Sequence, residues 1–478
     1  MGFNFLPCDR DQLFLLPPAL QDWLPESDLA WFLLDAVAQM DLKNITHTYR
    51  RDGWGQAAYD PTMMVALLLY AYCVGERSSR RIERLCERDI AFRVLAANQR
   101  PDHTTLARFR QTHEQALAAL FTAVLRLCAK AGVVKVGVVA LDGTKIQADA
   151  TLAANRTTEA IQETVQRMLS EAQTVDDAED RVYGAEQRGD EFPKALRTRH
   201  SRLARLQACQ ARLEEEAAEA MAQQQAKLET RQVEQATTGQ KRRGRKPKSP
   251  QALADAAATA TANVTDPESR IMKTQRGYVQ GYNAQAVVTM EQIVVAAELT
   301  QQANDIQQLH PMVAQAQNNL QTIGFPQAIG TALADAGYCS EANLTTVGPG
   351  GPELLVATNK DWKQRKAQRE QPPPRGRIPT SLTPRERMDR ALFTKRGRRL
   401  YKLRGQTVEP VFGQIKTVQG GERFMRRGAQ ACASEWKLLC ATHNLLKLWR
   451  SGKASWVGQT KRSHQLGLPP GTGKPPRQ

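Results

Sequence analysis

Cysteine and histidine are scarce and scattered in this 478-residue chain: eight and seven, with no CxxC pair and no histidines at metal-ligand spacing. That excludes a disulfide framework and a zinc ribbon or finger, and it fits a reducing compartment. Long apolar runs are missing too. The longest, Met63 to Val74, is too short to span a bilayer and reads as a buried helix. Met1 to Leu20 carries Asp9, Arg10 and Asp11 where a secretory leader needs an apolar stretch, so a cytoplasmic protein with no membrane partner is expected. Acid is in short supply relative to base. Asp and Glu number 49 against 66 Lys and Arg, a net charge of +17. That surplus points to a polyanionic partner, nucleic acid before membrane.

What is present begins with helices. Asp60-Pro61 is a cap followed by an N1 proline, and Gly75 ends the segment they open. A second helix from Ser78-Ser79 would bury Ile82, Leu85, Cys86 and Ile90. A third, opening at Pro101-Asp102, would carry Leu106, Phe109, Leu117, Leu120, Phe121 and Val124 inward. Thr104, Thr105, Arg108 and Arg110 lie near its N-terminus, where backbone N–H groups suit a phosphate, so Thr105 and Arg108 are candidate DNA contacts. The competing reading is a helical bundle with a solvated basic face.

Val133 to Leu141 is β-branched and nearly continuous, as in a strand buried on both faces, and ends in Asp142-Gly-Thr. From Asn155 to Gln235 the composition turns to Ala, Glu, Gln and Arg with Pro193 the only proline, which predicts an inserted long helix or helical hairpin. Lys241-Arg-Arg-Gly-Arg-Lys-Pro-Lys248 follows as a polybasic loop. Strand patterns resume at 281–289 and 292–300, the arrangement of a hairpin. A helix over 305–322, a strand over 328–333 running into Asp335-Ala-Gly-Tyr338, a short helix capped by Ser340 and a strand over 353–358 complete the order. Residues 360–400 are basic and proline-rich, better suited to lining DNA than to a packed core.

Two carboxylates therefore follow buried strands, Asp142 and Asp335. An ionised aspartate there is costly unless a cation or partner neutralises it. Glu409 supplies a third. Val408, Val411, Phe412 and Ile415 recur at helical spacing. Pro410 fits a first helical turn, which would start that helix near Thr407. Three converging carboxylates suit two Mg²⁺ ions, oxygen-preferring cations that keep open water positions, and Mn²⁺ could substitute. Asp149, past the strand end, and Asp305, a candidate helix cap, are the competing acids.

Leu141-Asp-Gly-Thr144, Ala334-Asp-Ala-Gly-Tyr338 and Tyr401-x-x-Arg404 with Glu409-x6-Lys416 together resemble bacterial insertion-sequence DDE transposases with a YREK-type signature. Tyr59-Asp-Pro61, Ser79-Arg-Arg-Ile-Glu83, Pro101 to Arg110 and Gly281-Tyr-Asn-Ala-Gln285 extend the likeness from about residue 30 to 450. The resemblance implies an α/β, RNase H-like mixed sheet flanked by helices over 131–150 and 265–450. An N-terminal all-α DNA-binding or dimerisation domain (1–130), a helical insertion after the first catalytic strand (151–264) and a basic tail (451–478) would complete the chain. It implies Asp142, Asp335 and Glu409 as the catalytic, metal-binding triad, with Tyr401, Arg404 and Lys416 on phosphates at the transposon end. One departure is that four residues separate Arg404 from Glu409, where the usual signature has three; Arg423, Arg426 or Arg427 are candidates to share its role.

Gly244-Arg-Lys-Pro247 resembles an AT-hook core, with Arg243, Arg245 and Lys246 as candidate minor-groove or phosphate contacts, or simply solubilising charge. The implied activity is metal-dependent cleavage and strand transfer at the inverted ends of an element. The partners would be double-stranded DNA, as element ends and target, and a second copy in a synaptic homodimer at the nucleoid. No tyrosine or serine stands in a nucleophile motif, so no covalent protein–DNA intermediate is expected. A structure-specific nuclease without strand transfer and a catalytically inactive, element-derived DNA-binding regulator are the alternatives.

Overall fold

The computed structural model describes residues 20–50, 57–183, 194–239, 248–274, 277–325, 327–346, 351–359, 370–379, 381–454 and 456. Among the described residues, a 3-10 turn (Leu20–Trp23) and seven α-helices come first: α1 (Leu29–Ala38), α2 (Lys43–Thr46), α3 (Pro61–Cys73), α4 (Ser79–Arg88), α5 (Ile90–Leu95), α6 (His103–Thr112) and α7 (Glu114–Lys130). The Asp60 side chain accepts from Thr62 and Met63 N–H, which starts α3 as the sequence predicts. Two expected helices are shorter than their apolar patterns. Asp89 ends one helix and caps the next, so Ile90 is exposed at the start of α5. The segment from Pro101 breaks at His113 into α6 and α7, although all six of its apolar positions are buried.

The sheet follows with β1 (Val138–Gln147). Next comes the insertion: β2 (Asn155–Thr157), α8 (Thr158–Tyr183), α9 (Lys194–Thr238), α10 (Pro250–Ala258) and β3 (Thr261–Asn263). It carries a small core of its own, Ile161, Val165, Leu206, Cys209, Leu213 and Ala262, closed by the β2–β3 pair that the sequence pattern did not reveal. The chain then forms β4 (Arg270–Thr274), β5 (Gly277–Thr289), β6 (Val294–Thr300), α11 (Leu309–Thr322), β7 (Thr331–Ala334), α12 (Glu341–Thr345) and β8 (Glu353–Val356). It ends in α13 (Pro384–Phe393), α14 (Lys395–Thr417) and α15 (Ala429–Ser451). Part of the proline-rich stretch is thus ordered helix: Thr383 and Glu386 form a capping box for α13, and Leu392 is buried.

The main sheet runs β4–β5–β1–β7–β8, with β6 on the same edge of β5 as β4. Strands β1, β5 and β6 pair antiparallel, while β7 and β8 run parallel to β1. This mixed sheet flanked by helices is compatible with an RNase H-like fold. Helix α15 is buried almost all round, against α7, α3 and β6, so the N-terminal helices and the sheet share one continuous apolar core. Asn444 on that helix bonds the backbone of Val294 in both directions, 2.9 and 2.8 Å, and satisfies the open edge of β6.

Two local expectations are corrected. Asp142 does not follow its strand: β1 continues to Gln147, because residues 142–147 pair with 281–286 of the long partner β5. And α14 starts at Lys395, not near Thr407, so Pro410 sits inside it. A proline there leaves the Gln406 carbonyl without its helical donor. The Gln292 side-chain amide supplies that donor instead, at 3.1 Å. The proline is tolerated because a loop from across the fold completes its hydrogen bonding.

Candidate active site

Strand β1 pairs with β7 from Val138↔Thr331 to Ala140↔Leu333, and continuing that parallel register brings Asp335 beside Asp142. Each carboxylate has one oxygen held by a nearby glycine. Gly143 N–H donates to Asp142 Oδ1, and Gly337 N–H donates to Asp335 Oδ1, both at 2.8 Å. The other oxygen of Asp142 accepts from Arg404 Nη1 at 2.8 Å. Arg404 also reaches Glu409 Oε1, 3.6 Å from its Nη2. The structure therefore places Asp142 and Asp335 close enough for their charges to interact, and connects Glu409 to Asp142 through a guanidinium. Glu409 itself is 65% exposed on α14, while Arg404 and Asp142 are mostly covered, at 17% and 20%.

Burial pushes the Asp142 carboxyl up; Arg404 pulls it back, and the neighbouring Asp335 charge raises it again, leaving it at about 6. The charge of Asp142 is thus only partly compensated by the protein's own groups. Among the described residues, no three His, Cys, Asp or Glu side chains are gathered so as to hold a metal ion. Arg404 provides the positive charge between Asp142 and Glu409. The donor chemistry fits a hard divalent cation, which prefers carboxylate oxygen and would relieve the Asp142–Asp335 repulsion.

The remaining sequence candidates fall differently. Tyr401 is half-buried near Arg404 and packs on the core. Lys416 is also half-buried, and donates to the Lys145 carbonyl on β1 at 3.2 Å. Arg423 and Arg427 both engage Asp149, which occupies that competing acid, and Arg426 pairs with Glu114. Arg108 is exposed, but the Thr105 N–H and hydroxyl both go to Asp102 at 2.8 Å, so the cap already uses that helix terminus. Arg110 is buried and donates to the Arg77 carbonyl. Arg243, Arg245 and Lys246 lie outside the described residues, as does nearly all of the basic tail.

Two family models match the chain: Transposase domain (DUF772) over residues 18–112 and Transposase DDE domain over residues 230–445. The chain belongs to the insertion-sequence DDE transposases. Its family acts on DNA and uses divalent metal ions. No curated protein and no solved structure matches it. The DDE match of the transposase contains Asp335 and Glu409 but starts well after Asp142. The first acid joins the others through β1, on the far side of the insertion in sequence. No helix among the described residues is long and apolar enough to cross a membrane.

Sequence reasoning set Asp305 aside as a helix cap. It precedes a 3-10 turn (Ile306–Gln308), but its side chain makes no capping bond. Its Oδ1 instead accepts from Asn283 Nδ2 at 2.7 Å, Gln285 Nε2 at 2.8 Å and Lys145 Nζ at 3.4 Å. Gln285 in turn accepts from the Tyr338 hydroxyl. The signal was available in Gly281-Tyr-Asn-Ala-Gln285: two amides at alternating positions of a buried strand must share one face and need polar partners there.

Proposed function

We propose that this transposase cleaves DNA at the inverted ends of its element and joins those ends to a target, with Asp142, Asp335 and Glu409 as its catalytic acids. The observation that carries the reading is the pair of Asp142 within β1 and Asp335 just past the end of the parallel strand β7, their charges repelling each other, with Glu409 linked to Asp142 by Arg404. Asp142 and Asp335 would hold Mg²⁺, with Glu409 completing the set once Arg404 turns away. The bound cation supplies Lewis-acid activation of water or a 3′-hydroxyl and neutralises the leaving oxygen. The protein's own part is positioning. The glycine N–H bonds fix which carboxylate oxygen of each aspartate faces outward, and Arg404, released from the acids, is set to meet a phosphate. Tyr401 and Lys416 join it from α14, while the exposed Arg108, rather than Thr105 with its donors spent on Asp102, belongs to the contact with flanking duplex. Pairing two ends calls for two copies of the chain.

The test is Mg²⁺-dependent nicking of a duplex carrying the element's end. Asp142→Asn and Asp335→Asn should each reduce nicking by at least about a hundredfold, the scale on which lost electrostatic stabilisation shows. Undiminished nicking by either variant refutes the assignment. Cleavage with no joined product would identify a nuclease, and end binding with no cleavage in Mg²⁺ or Mn²⁺ a regulator.

A further inference from the structure

The polar cluster on the α11 side of β1 and β5 has no part in the mechanism above, yet it touches both acids' immediate neighbours. A side chain at Gly143 would meet Asp305 Oδ1 at 2.7 Å, and one at Gly337 would meet Asp305 Oδ2 at 3.3 Å and Asp335 Oδ1 at 2.9 Å. The glycines after Asp142 and Asp335 are therefore what lets a third aspartate approach so closely. Every side-chain hydrogen bond described for Asp305 lands on Oδ1, from Asn283, Gln285 and Lys145. The carboxylate is thereby locked, with Tyr338 bracing Gln285 from behind.

Lys145 explains why such a lock is needed. Its side chain is only 16% exposed, and its ammonium interacts with Asp305 and also with Asp142 and Asp335. A fixed ammonium in reach of two metal-binding carboxylates competes with a divalent cation for them. We propose that Asp305 is a positioning residue of the active centre: it sequesters the Lys145 ammonium, so that Asp142 and Asp335 remain available to the divalent cation. Lys145 then stays beside the centre, where it tempers the acidic field that incoming phosphates meet. The inference rests on Asp142 and Asp335 being cation ligands.

Mn²⁺ binding to the full-length protein without DNA, followed by the electron paramagnetic resonance of free Mn²⁺, tests this independently of turnover. Asp305→Asn keeps the shape and an acceptor oxygen but removes the charge that holds Lys145. It should weaken Mn²⁺ binding about 10–100-fold, the range for groups that orient metal ligands, with an unchanged melting temperature. Adding Lys145→Met to Asp305→Asn should return affinity to near the parent value, which a purely structural role for Asp305 would not do. Parent-like binding by Asp305→Asn, or a double variant as weak as the single, overturns the proposal. Should Asp305→Asn not fold, Lys145→Met alone decides: it should bind Mn²⁺ at least as tightly as the parent, and weaker binding refutes the idea. Parent-like Mn²⁺ binding by both Asp142→Asn and Asp335→Asn would instead refute the underlying assignment of ligands.

Discussion

Arg77 and Glu435 form an ion pair between the loop after α3 and the helix α15, with Arg77 Nη1 2.8 Å from Glu435 Oε1 and the side chains 7% and 0% exposed. Glu435 also accepts from Met425 N–H at 3.0 and 3.3 Å, and Arg77 donates to the Gly420 carbonyl. Arg77→Met would leave a buried carboxylate holding one backbone donor, the situation that costs about 3–5 kcal/mol when a buried pair is broken. That lowers the folded-to-unfolded ratio by more than about a hundredfold. Burial already raises the Glu435 carboxyl above its ordinary value against the pull of Arg77, so losing the arginine raises it further. The sign follows. Above the unfolded value the ionised form is penalised in the fold, and as pH falls toward that value the folded protein takes up the proton and the penalty fades. Urea unfolding of Arg77→Met should therefore show a large loss at pH 7.5 and a smaller one at pH 5.5, relative to the parent at each pH. Arg77→Met with Glu435→Gln should recover most of the pH 7.5 loss, since no buried charge is left. A loss equal at both pH values, with no recovery in the double variant, would mean that packing rather than charge makes this contact.

His443 is buried on α15, donates from Nε2 to the Gln292 carbonyl at 2.9 Å, and burial lowers its pKa to about 4. Its contribution is complete above the unfolded value near 6.5 and should be lost at roughly 1.4 kcal/mol per unit as pH falls toward 4; His443→Gln should flatten that slope in melting curves. Gly413 lies inside α14 with nothing within 4 Å of where a Cβ would stand, so Gly413→Ala should stabilise the protein by about 0.5–1 kcal/mol in urea unfolding; destabilisation would expose a contact the fold does not show. Gln292→Ala removes the donor to the Gln406 carbonyl beside Pro410 and should cost about 1 kcal/mol. In Pro410→Ala the same change should cost less, because the helix regains its own donor.

The legible features of this transposase were those set by neighbours in the chain. Asp60-Pro61 and Ser340 declared helix starts by cap chemistry alone, and the β-branched runs declared the hairpin of β5 and β6. Asp142, Asp335 and Glu409 stood out because short motifs surround them. Tertiary structure decided the rest. The partner β5 carries β1 past Asp142, so the acid sits within its strand. Gln292 completes the hydrogen bonding at Pro410, so the late helix runs 23 residues where the proline alone argued for a start. Arg404 turns toward Asp142 and Glu409, which no spacing rule could specify. And Asp305 looked like a helix cap because a sequence shows an aspartate before a helix, not the two amides and the lysine that reach it from strands over 15 and 150 residues away. Local hydrogen bonds and side-chain periodicity are written in consecutive residues. The sharing of charge among Asp142, Lys145, Asp305, Asp335 and Arg404 exists only once the sheet has closed.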